Sequence, residues 1–380
     1  MNPHPAAADF ERILVRCPNW LGDVVMATPG LRALRARYPD SQIVGQLPSA
    51  LIPLLEGSDF FDELWPVASR GGGFAGWRSD VARIAEARFD LGVVIPESIS
   101  SALLMRMGRV DHVVGFARDP VRRRLLDAEA VASPEWGRRR WVSKERFVLA
   151  LVAAVGVAVG VGDEREGLRL ALDVTPEQRA RLARVLAEAG ADLSDLDLDP
   201  PVVIAPGASF GDAKCWPADS YAALADRFAV RGLSVVLIGA PGEHERISAV
   251  RTAMRSEAIV LDGVLDLGAL KALLRGARLL VANDAGARHI AAAFGVPSVI
   301  FFGPTSVAKT PDNLAAIEVL ESEQACRPCY RRRCPIDHRC LRSIDVDRAE
   351  AASERMLAWV GAGPDSEVPG KRSAGGRAIR

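Results

Sequence analysis

The chain has 380 residues, 49% apolar and 25% charged, enough for two globular domains with sizeable cores. Lys plus Arg and Asp plus Glu both number 48, so overall charge singles out neither nucleic acid nor an acidic surface as a partner. Residues 1–9 lack the charged-then-apolar pattern of a signal peptide, and the longest apolar stretch, 147–161, falls short of the roughly 20 residues a bilayer demands. A cytoplasmic protein is expected, with 147–161 a buried helix and the turn after it.

Residues 1–10 read as a disordered N-terminus, followed by a strand at 12–16. A turn with Pro18, Asn19 and Gly22 leads into a helical pattern over 24–37. Segments 43–47 and 91–95 are further strands, and 113–116 and 168–172 shorter candidates. The glycine run 71–76 formally matches a dinucleotide-binding pattern, but it follows no convincing strand and reads as a flexible loop. A helix over 176–189 has Thr175 as N-cap, Pro176 at its first position and Gly190 past its end, and 192–201 reads as an acidic connector.

A second βα series follows. The strand 202–205 runs into Pro206-Gly207-Ala208-Ser209, and 234–238 into Gly239 to Glu243. The strand 279–282 runs into Asn283-Asp284, and 299–302 into Gly303-Pro304-Thr305-Ser306. Ligands of open α/β sheets bind at such carboxyl ends, so this half is expected to hold a ligand site. A Cys/Arg-rich loop (326–342), a helix (346–360) and a polar Gly/Ser/Pro-rich tail (361–380), expected to be disordered, complete the chain. Alternation of short apolar strands with helices predicts an α/β fold with parallel sheets. The division expected is an N-terminal domain over 11–173 and a second over 174–345.

Asp284-Ala285-Gly286-Ala287-Arg288-His289 stands between an apolar strand and a helix. Backbone N–H groups and the positive end of a helix dipole then point at one spot, which suits a diphosphate. Three blocks carry a resemblance. Residues 18–29 (PNWLGDVVMATP), 206–208 with 213–217 (PGA, AKCWP), and 283–293 (NDAGARHIAAA) resemble, in order, the signature segments of the lipopolysaccharide heptosyltransferases of glycosyltransferase family 9. The similarity runs from about residue 13 to 360. It implies a GT-B fold, two Rossmann-like domains facing across a cleft, with acceptor on the first and ADP-sugar donor on the second. The activity implied is transfer of heptose from ADP-L-glycero-D-manno-heptose to the lipopolysaccharide inner core, with inversion and no metal or cofactor needed for catalysis. Two positions depart from the family pattern: Ala285 stands where Ser or Thr is usual, and Ala287-Arg288 where Pro-Met is usual.

The resemblance makes Asp23 the general base that takes the acceptor proton; composition alone would leave it a helix-start carboxylate favoured by the dipole. Lys214 is expected to neutralise charge growing on the leaving diphosphate. Gly207, Ala208 and Ser209 would approach phosphate through their backbone, and Asp284, Ala285, Gly286 and His289 complete the donor site. Glu243 could hold ribose hydroxyls or serve as a helix-start carboxylate. Thr305 and Ser306 belong to another strand-end turn.

Arg122-Arg123-Arg124, Arg138-Arg139-Arg140 and Arg331-Arg332-Arg333 are three basic runs. The acceptor implied is a membrane-embedded phosphorylated glycolipid, and Arg122, Arg123 and Arg124 are the contacts expected for it. Association with the inner-membrane surface from the cytoplasm follows, as a monomer without nucleic acid. Cys326, Cys329, Cys334 and Cys340 (C-x2-C-x4-C-x5-C) could wrap a structural Zn²⁺, reduced free thiols being the leading alternative, while Cys17 and Cys215 read as small apolar residues. A related ADP-heptose transferase with a different glycan acceptor is the alternative within the class, and a non-catalytic nucleotide- or nucleic-acid-binding module built on the Cys/Arg loop is the alternative from another class. A module of that kind has no use for the four strand-end turns together with Asp23.

Overall fold

The computed structural model describes residues 9–137, 142–157, 167–191 and 198–359. Arg138 to Arg140, residues 1–8, the tail 361–380 and most of the 192–201 connector lie outside the described residues. The chain forms two compact units: residues 1–182, 266–272 and 308–312 in the first, and 183–265, 273–307 and 313–380 in the second. The units thus do not follow a linear division at 173/174, since two short segments of the second half belong with unit 1.

Unit 1 holds β1 (Arg12–Arg16), α1 (Leu21–Arg37), β2 (Gln42–Leu47), α2 (Ile52–Leu55), β3 (Glu63–Pro66), α3 (Ser69–Ala87), β4 (Leu91–Val94), α4 (Ile99–Met107), β5 (His112–Gly115), α5 (Pro120–Arg123), β6 (Ala128–Glu129) and α6 (Lys144–Ala153), and α7 (Pro176–Glu188) runs across the division. Its six strands are parallel in the order β3-β2-β1-β4-β5-β6. Ile13, Leu14 and Val15 are all fully buried, as expected of a central strand covered by helices on both faces. The order reverses between β1 and β4, which makes the turn after β1 a topological switch point.

Pro29 lies inside α1 and has no N–H to offer the Val25 carbonyl. The Thr28 hydroxyl donates to that carbonyl instead (2.8 Å), and Thr28 Oγ1 accepts from the Ala171 N–H (3.1 Å). Segment 168–172, expected as a strand, joins neither sheet among the described residues. Its alternating burial is real, and Ala171 is fastened to α1. Gly30 allows α1 and α6 to meet, because a Cβ there would lie 2.5 Å from Val148 Cγ1. The glycine run 71–76, expected as a loop, is part of α3, which is interrupted at Gly73 (φ +54°). Lys271 is buried and donates to the carbonyls of Leu54 (3.3 Å) and Glu56 (2.9 Å), fixing segment 266–272 in this unit.

Unit 2 holds β7 (Val202–Ala205), α8 (Ala218–Val230), β8 (Val235–Gly239), α9 (His244–Ala253), β9 (Ile259–Asp262), the end of α10 (Leu267–Arg275), β10 (Leu279–Asn283), α11 (Gly286–Ala293), β11 (Ser298–Phe302), β12 (Ile317–Glu321), α12 (Arg339–Arg342) and α13 (Val346–Ala358). The parallel strand order is β12-β11-β10-β7-β8-β9, the same doubly wound pattern. Its core centres on Trp216, stacked on Phe301 at 4.2 Å and edge-on to Tyr221 at 5.0 Å. Ala349, Ala352 and Met356 of α13 are buried in the same core, so the C-terminal helix belongs to this unit. α7 begins with the capping predicted for it: Gln178 N–H donates to Thr175 Oγ1 (3.3 Å), and Thr175 N–H to Gln178 Oε1 (3.2 Å).

Candidate active site

In unit 2, β11, β10, β7 and β8 are consecutive neighbours, so the turns at Thr305, Asp284, Gly207 and Glu243 line one edge of the sheet. The reversal of strand order falls between β10 and β7, placing Asp284 and Gly207 on either side of the switch point. The Asp284 carboxylate is nearly buried and held by three groups. Lys214 Nζ lies 2.8 Å from Oδ2 and also donates to the Asp284 carbonyl (2.6 Å). The Thr305 hydroxyl donates to Oδ2 (2.7 Å), and Arg288 Nε lies 3.1 Å from Oδ1. Burial opposes ionisation here, but Arg288 and Lys214 override it and hold the carboxyl far below its ordinary range. Two cations against one anion leave this cluster with a net positive charge.

Ala285 is the N-cap of α11 and, having no side-chain acceptor, leaves the first N–H groups of the helix uncapped by its side chain. Gly286 takes the first helical position, and the Arg288 N–H donates to the Ala285 carbonyl (3.3 Å). His289 lies one turn in, where burial and then the Arg288 cation lower its imidazole pKa well below the ordinary value. Ser209 is exposed and Ala208 half-buried, while Gly207 is buried against Glu243. A Cβ on Gly207 would lie 2.1 Å from the Glu243 carboxylate carbon. Glu243 Oε2 accepts from the Ala240 N–H (2.9 Å) as the residue preceding α9, and its carboxylate is thereby held beside the Gly207 turn.

In unit 1, Asp23 sits in the first turn of α1, immediately after the switch-point strand β1. Burial raises its pKa, and Lys144 and Lys309 partly counter that. Lys144 opens α6, which packs on α1 through Gly30 and Val148, and Lys309 arrives on segment 308–312. That segment is fixed by Asp312, which pairs with Arg146 (3.1 Å) and accepts from Ser143. A partly desolvated carboxylate flanked by two ammonium groups is suited to taking a proton from an uncharged hydroxyl.

Residues 77–339 match the family model of glycosyltransferase family 9 (heptosyltransferase). The chain belongs to that family. It is 32% identical over 308 residues to the lipopolysaccharide heptosyltransferase 2 of Salmonella typhimurium, covering 79% of this chain and 85% of that protein. Among solved structures, it is similar to the ADP-heptose lipopolysaccharide heptosyltransferase II of E. coli at 27% identity. The TM-score is 0.75, with 91% of this chain and 98% of that one covered. A family 9 glycosyltransferase from Veillonella parvula shares the fold at 23% identity and TM-score 0.76, covering 92% and 97% of the two chains. The protein is therefore a glycosyltransferase of the heptosyltransferase family, and its two doubly wound units are those of the GT-B class.

Within this family 9 enzyme, one residue of the predicted acceptor run is displaced from its expected place. Arg122 is fully buried, donating to the carbonyls of Phe116 (2.7 Å) and Ser98, and only Arg123 and Arg124 of the run face solvent. It follows the N-cap Asp119 and Pro120 on a short helix whose turn points it inward, where it ties the β5 loop to the start of α4.

The Zn²⁺ expectation is not met either. Among the described residues no three Cys, His, Asp or Glu side chains converge as a metal-binding group. Cys340 is buried on α12, whereas Cys326 and Cys329 are exposed on the preceding loop. The four cysteines nevertheless line one cavity of about 220 Å³. Cys17 and Cys215 are buried, and burial pushes their thiols up to about 12 and about 11, so they pack as neutral groups.

The Cys/Arg loop has a mechanical part instead. The Ala213 N–H donates to Arg332 O (3.2 Å), and Gly211 (φ +146°) lets that carbonyl approach where a Cβ would lie 2.3 Å away. The N–H groups of Cys329 and Tyr330 donate to Pro304 O, and Arg327 to the carbonyls of Gly303 and Thr305. The loop thus connects the turn that carries Lys214 to the turn that carries Thr305.

Three further residues had no assigned role in the sequence reading. Asn283 is fully buried with both ends of its amide used. Its Oδ1 accepts from Trp216 N–H (3.0 Å) and Tyr221 OH (3.0 Å), and its Nδ2 donates to the carbonyls of Pro206 (2.8 Å) and Gly207 (3.2 Å). It thereby fixes the Gly207 turn to the end of β10, and its place beside Asp284 was the only signal for it. Lys144 and Lys309 carried no signal, because they lie 121 and 286 residues from Asp23 in the chain.

Proposed function

We propose that the protein is an inverting, metal-independent transferase that moves heptose from ADP-L-glycero-D-manno-heptose to the heptose of the lipopolysaccharide inner core. It would work on the cytoplasmic face of the inner membrane. The relatives named lipopolysaccharide heptosyltransferase 2 support the substrate class, and the clustering of Lys214, Arg288 and Thr305 on Asp284 carries the donor assignment. Among the described residues no helix is long and apolar enough to cross a membrane, so attachment at the surface is the mode proposed.

Unit 2 holds the donor. Its diphosphate lies at the uncapped start of α11 and against Gly207 to Ser209, with the ribose on Glu243. Unit 1 supplies the base. Asp23 takes the proton of the acceptor hydroxyl, whose oxygen forms the new bond to the anomeric carbon of heptose. The bond from that carbon to the diphosphate oxygen breaks, and its electron pair leaves with ADP. A single displacement of this kind inverts the anomeric centre. Lys214, drawn from Asp284 towards the leaving group, and the Arg288 charge behind it meet the developing negative charge, which makes a metal unnecessary for that task. Arg288 also supplies a charge where the family more often has Met, and Ala285 presents its backbone where the family has a hydroxyl.

The test is release of ADP from ADP-heptose in the presence of a heptose-bearing core acceptor. Asp23→Asn is expected to keep ADP binding and to lose about 10²-fold or more in turnover. Turnover near wild type would remove Asp23 from the mechanism, and absence of ADP-heptose binding by the wild type would remove the donor assignment.

A further inference from the structure

The helix α4 leaves an apolar stripe uncovered. Ile99, Leu103 and Met107 are all exposed, Met107 by 52%, and their spacing of four residues puts them on one face. Soluble helices normally turn such a face inward. The inward face of α4 is already supplied by Ala102, Leu104 and Met105, which are buried, so the stripe is additional to the core.

Two more exposed apolar side chains occur on the neighbouring strand-end loops. Trp20 (61% exposed) follows β1 and Val121 (54%) follows β5, and β1, β4 and β5 are consecutive in the sheet. The carboxyl edge of unit 1 thus presents an apolar side chain at each of three adjacent positions, and Asp23 is three residues from the first. The α4 and α5 elements are fastened together, since Arg122 donates to Ser98 O and Arg106 Nε to Leu125 O (2.8 Å).

The loop that carries Val121 is rich in arginine. Segment 116–124 contains four Arg and one Asp. Arg118, Arg123 and Arg124 are exposed, whereas the Asp119 carboxylate accepts from the N–H groups of Val121 and Arg122. Glu129 pairs with Arg123 (2.7 Å), leaving Arg118 and Arg124 without an ion pair among the described residues.

We propose that this face, the α4 stripe with Trp20 and Val121 and its arginine rim, docks on an anionic phospholipid bilayer. An apolar stripe with an indole at one end suits the interfacial region, and the guanidinium groups suit anionic headgroups. Each arginine near such a surface strengthens attachment about fivefold. The proposal rests on the reading of a lipid-anchored acceptor, since docking here brings the edge that carries Asp23 to the plane in which that acceptor lies.

The experiment is flotation of the full chain with phosphatidylcholine vesicles, with and without one quarter phosphatidylglycerol, in parallel with turnover on a deacylated, water-soluble acceptor. Wild type is expected to float with the anionic vesicles and not with the neutral ones. The triple variant Ile99→Ser, Leu103→Ser, Met107→Ser is expected to bind them at least about tenfold more weakly, with unchanged melting temperature and unchanged turnover on the soluble acceptor. Arg118→Gln, on another element, is expected to weaken binding about fivefold. Equal flotation of wild type and triple variant overturns the proposal, as does a change of oligomeric state in the triple variant without a change in vesicle binding. Loss of vesicle binding with intact soluble turnover supports the docking face. Failure of soluble turnover in the wild type strikes the proposed function and leaves the vesicle result to be read by itself.

Discussion

Replacing Asp284 by Asn removes the only anion from a cluster that would then hold two cations. Lys214 is 13% exposed and Arg288 2%, so neither is well solvated. Removing one partner of a buried ion pair typically costs about 3–5 kcal/mol, because the charge left behind stays desolvated. The lower end applies here, since Lys214 Nζ keeps its bond to the main-chain carbonyl of residue 284. At about 3 kcal/mol, and about 2–4 °C per kcal/mol for a unit of this size, the melting temperature should fall by about 6–12 °C. ADP should return more of that loss to the variant than it adds to the wild type, because a diphosphate supplies the missing negative charge. The effect also has a pH signature. Asp284 titrates below its ordinary value when folded, so its contribution is complete above the unfolded carboxylate pKa of about 4. It is lost progressively as pH falls from there towards the folded value, so the gap between wild type and variant should begin to narrow below about pH 4. Thermal unfolding followed by circular dichroism, with and without ADP and across pH 2–7, measures all three. A loss that is the same with and without ADP, and the same at every pH, would show that Asp284 is a packing residue and not the counter-ion of a phosphate site.

Three other substitutions probe the remaining parts of the site. Lys144→Met should shift the acidic limb of the kcat/KM profile to higher pH, because a cation that lowers the Asp23 pKa is removed; an unmoved limb would detach Lys144 from the base. Gly207→Ala should raise the Kd for ADP about tenfold with little change in melting temperature, as the new methyl displaces the Glu243 carboxylate from beside the turn; isothermal titration calorimetry showing wild-type affinity would exclude Glu243 from ribose binding. Asn283→Leu should cost about 3 kcal/mol or more of stability in urea unfolding, since four buried polar partners lose their bonds, and an intact midpoint would mean that the Gly207 turn is held by other contacts.

What could be read from the sequence divides along the sheets. The central strands β1, β2, β4, β5, β7, β8, β10 and β11 were all anticipated, because burial on both faces leaves short uninterrupted apolar runs. The strands missed, β3, β6, β9 and β12, are the four edges. There, Glu63, Glu129, Asp262 and Glu318 break the apolar signal, as edge strands commonly do. The segment 168–172 has the alternation of a strand, but among the described residues it is fastened to α1 and joins neither sheet.

The site divides in a similar way. Residues placed on a strand-end turn, such as Gly207, Glu243 and Asp284, carry their position in the local βα pattern and were accessible. Arg122 was misplaced because an arginine run has no direction: only the N-cap at Asp119 and the acceptor carbonyls of Ser98 and Phe116 decide which of the three turns inward. Lys144 and Lys309 were inaccessible for a deeper reason. Their proximity to Asp23 depends on Gly30 admitting Val148 and on Asp312 binding Arg146, contacts between segments more than a hundred residues apart. The family resemblance could therefore point to Asp23, while the burial that raises its pKa and the two lysines that oppose that rise are properties of the tertiary packing alone.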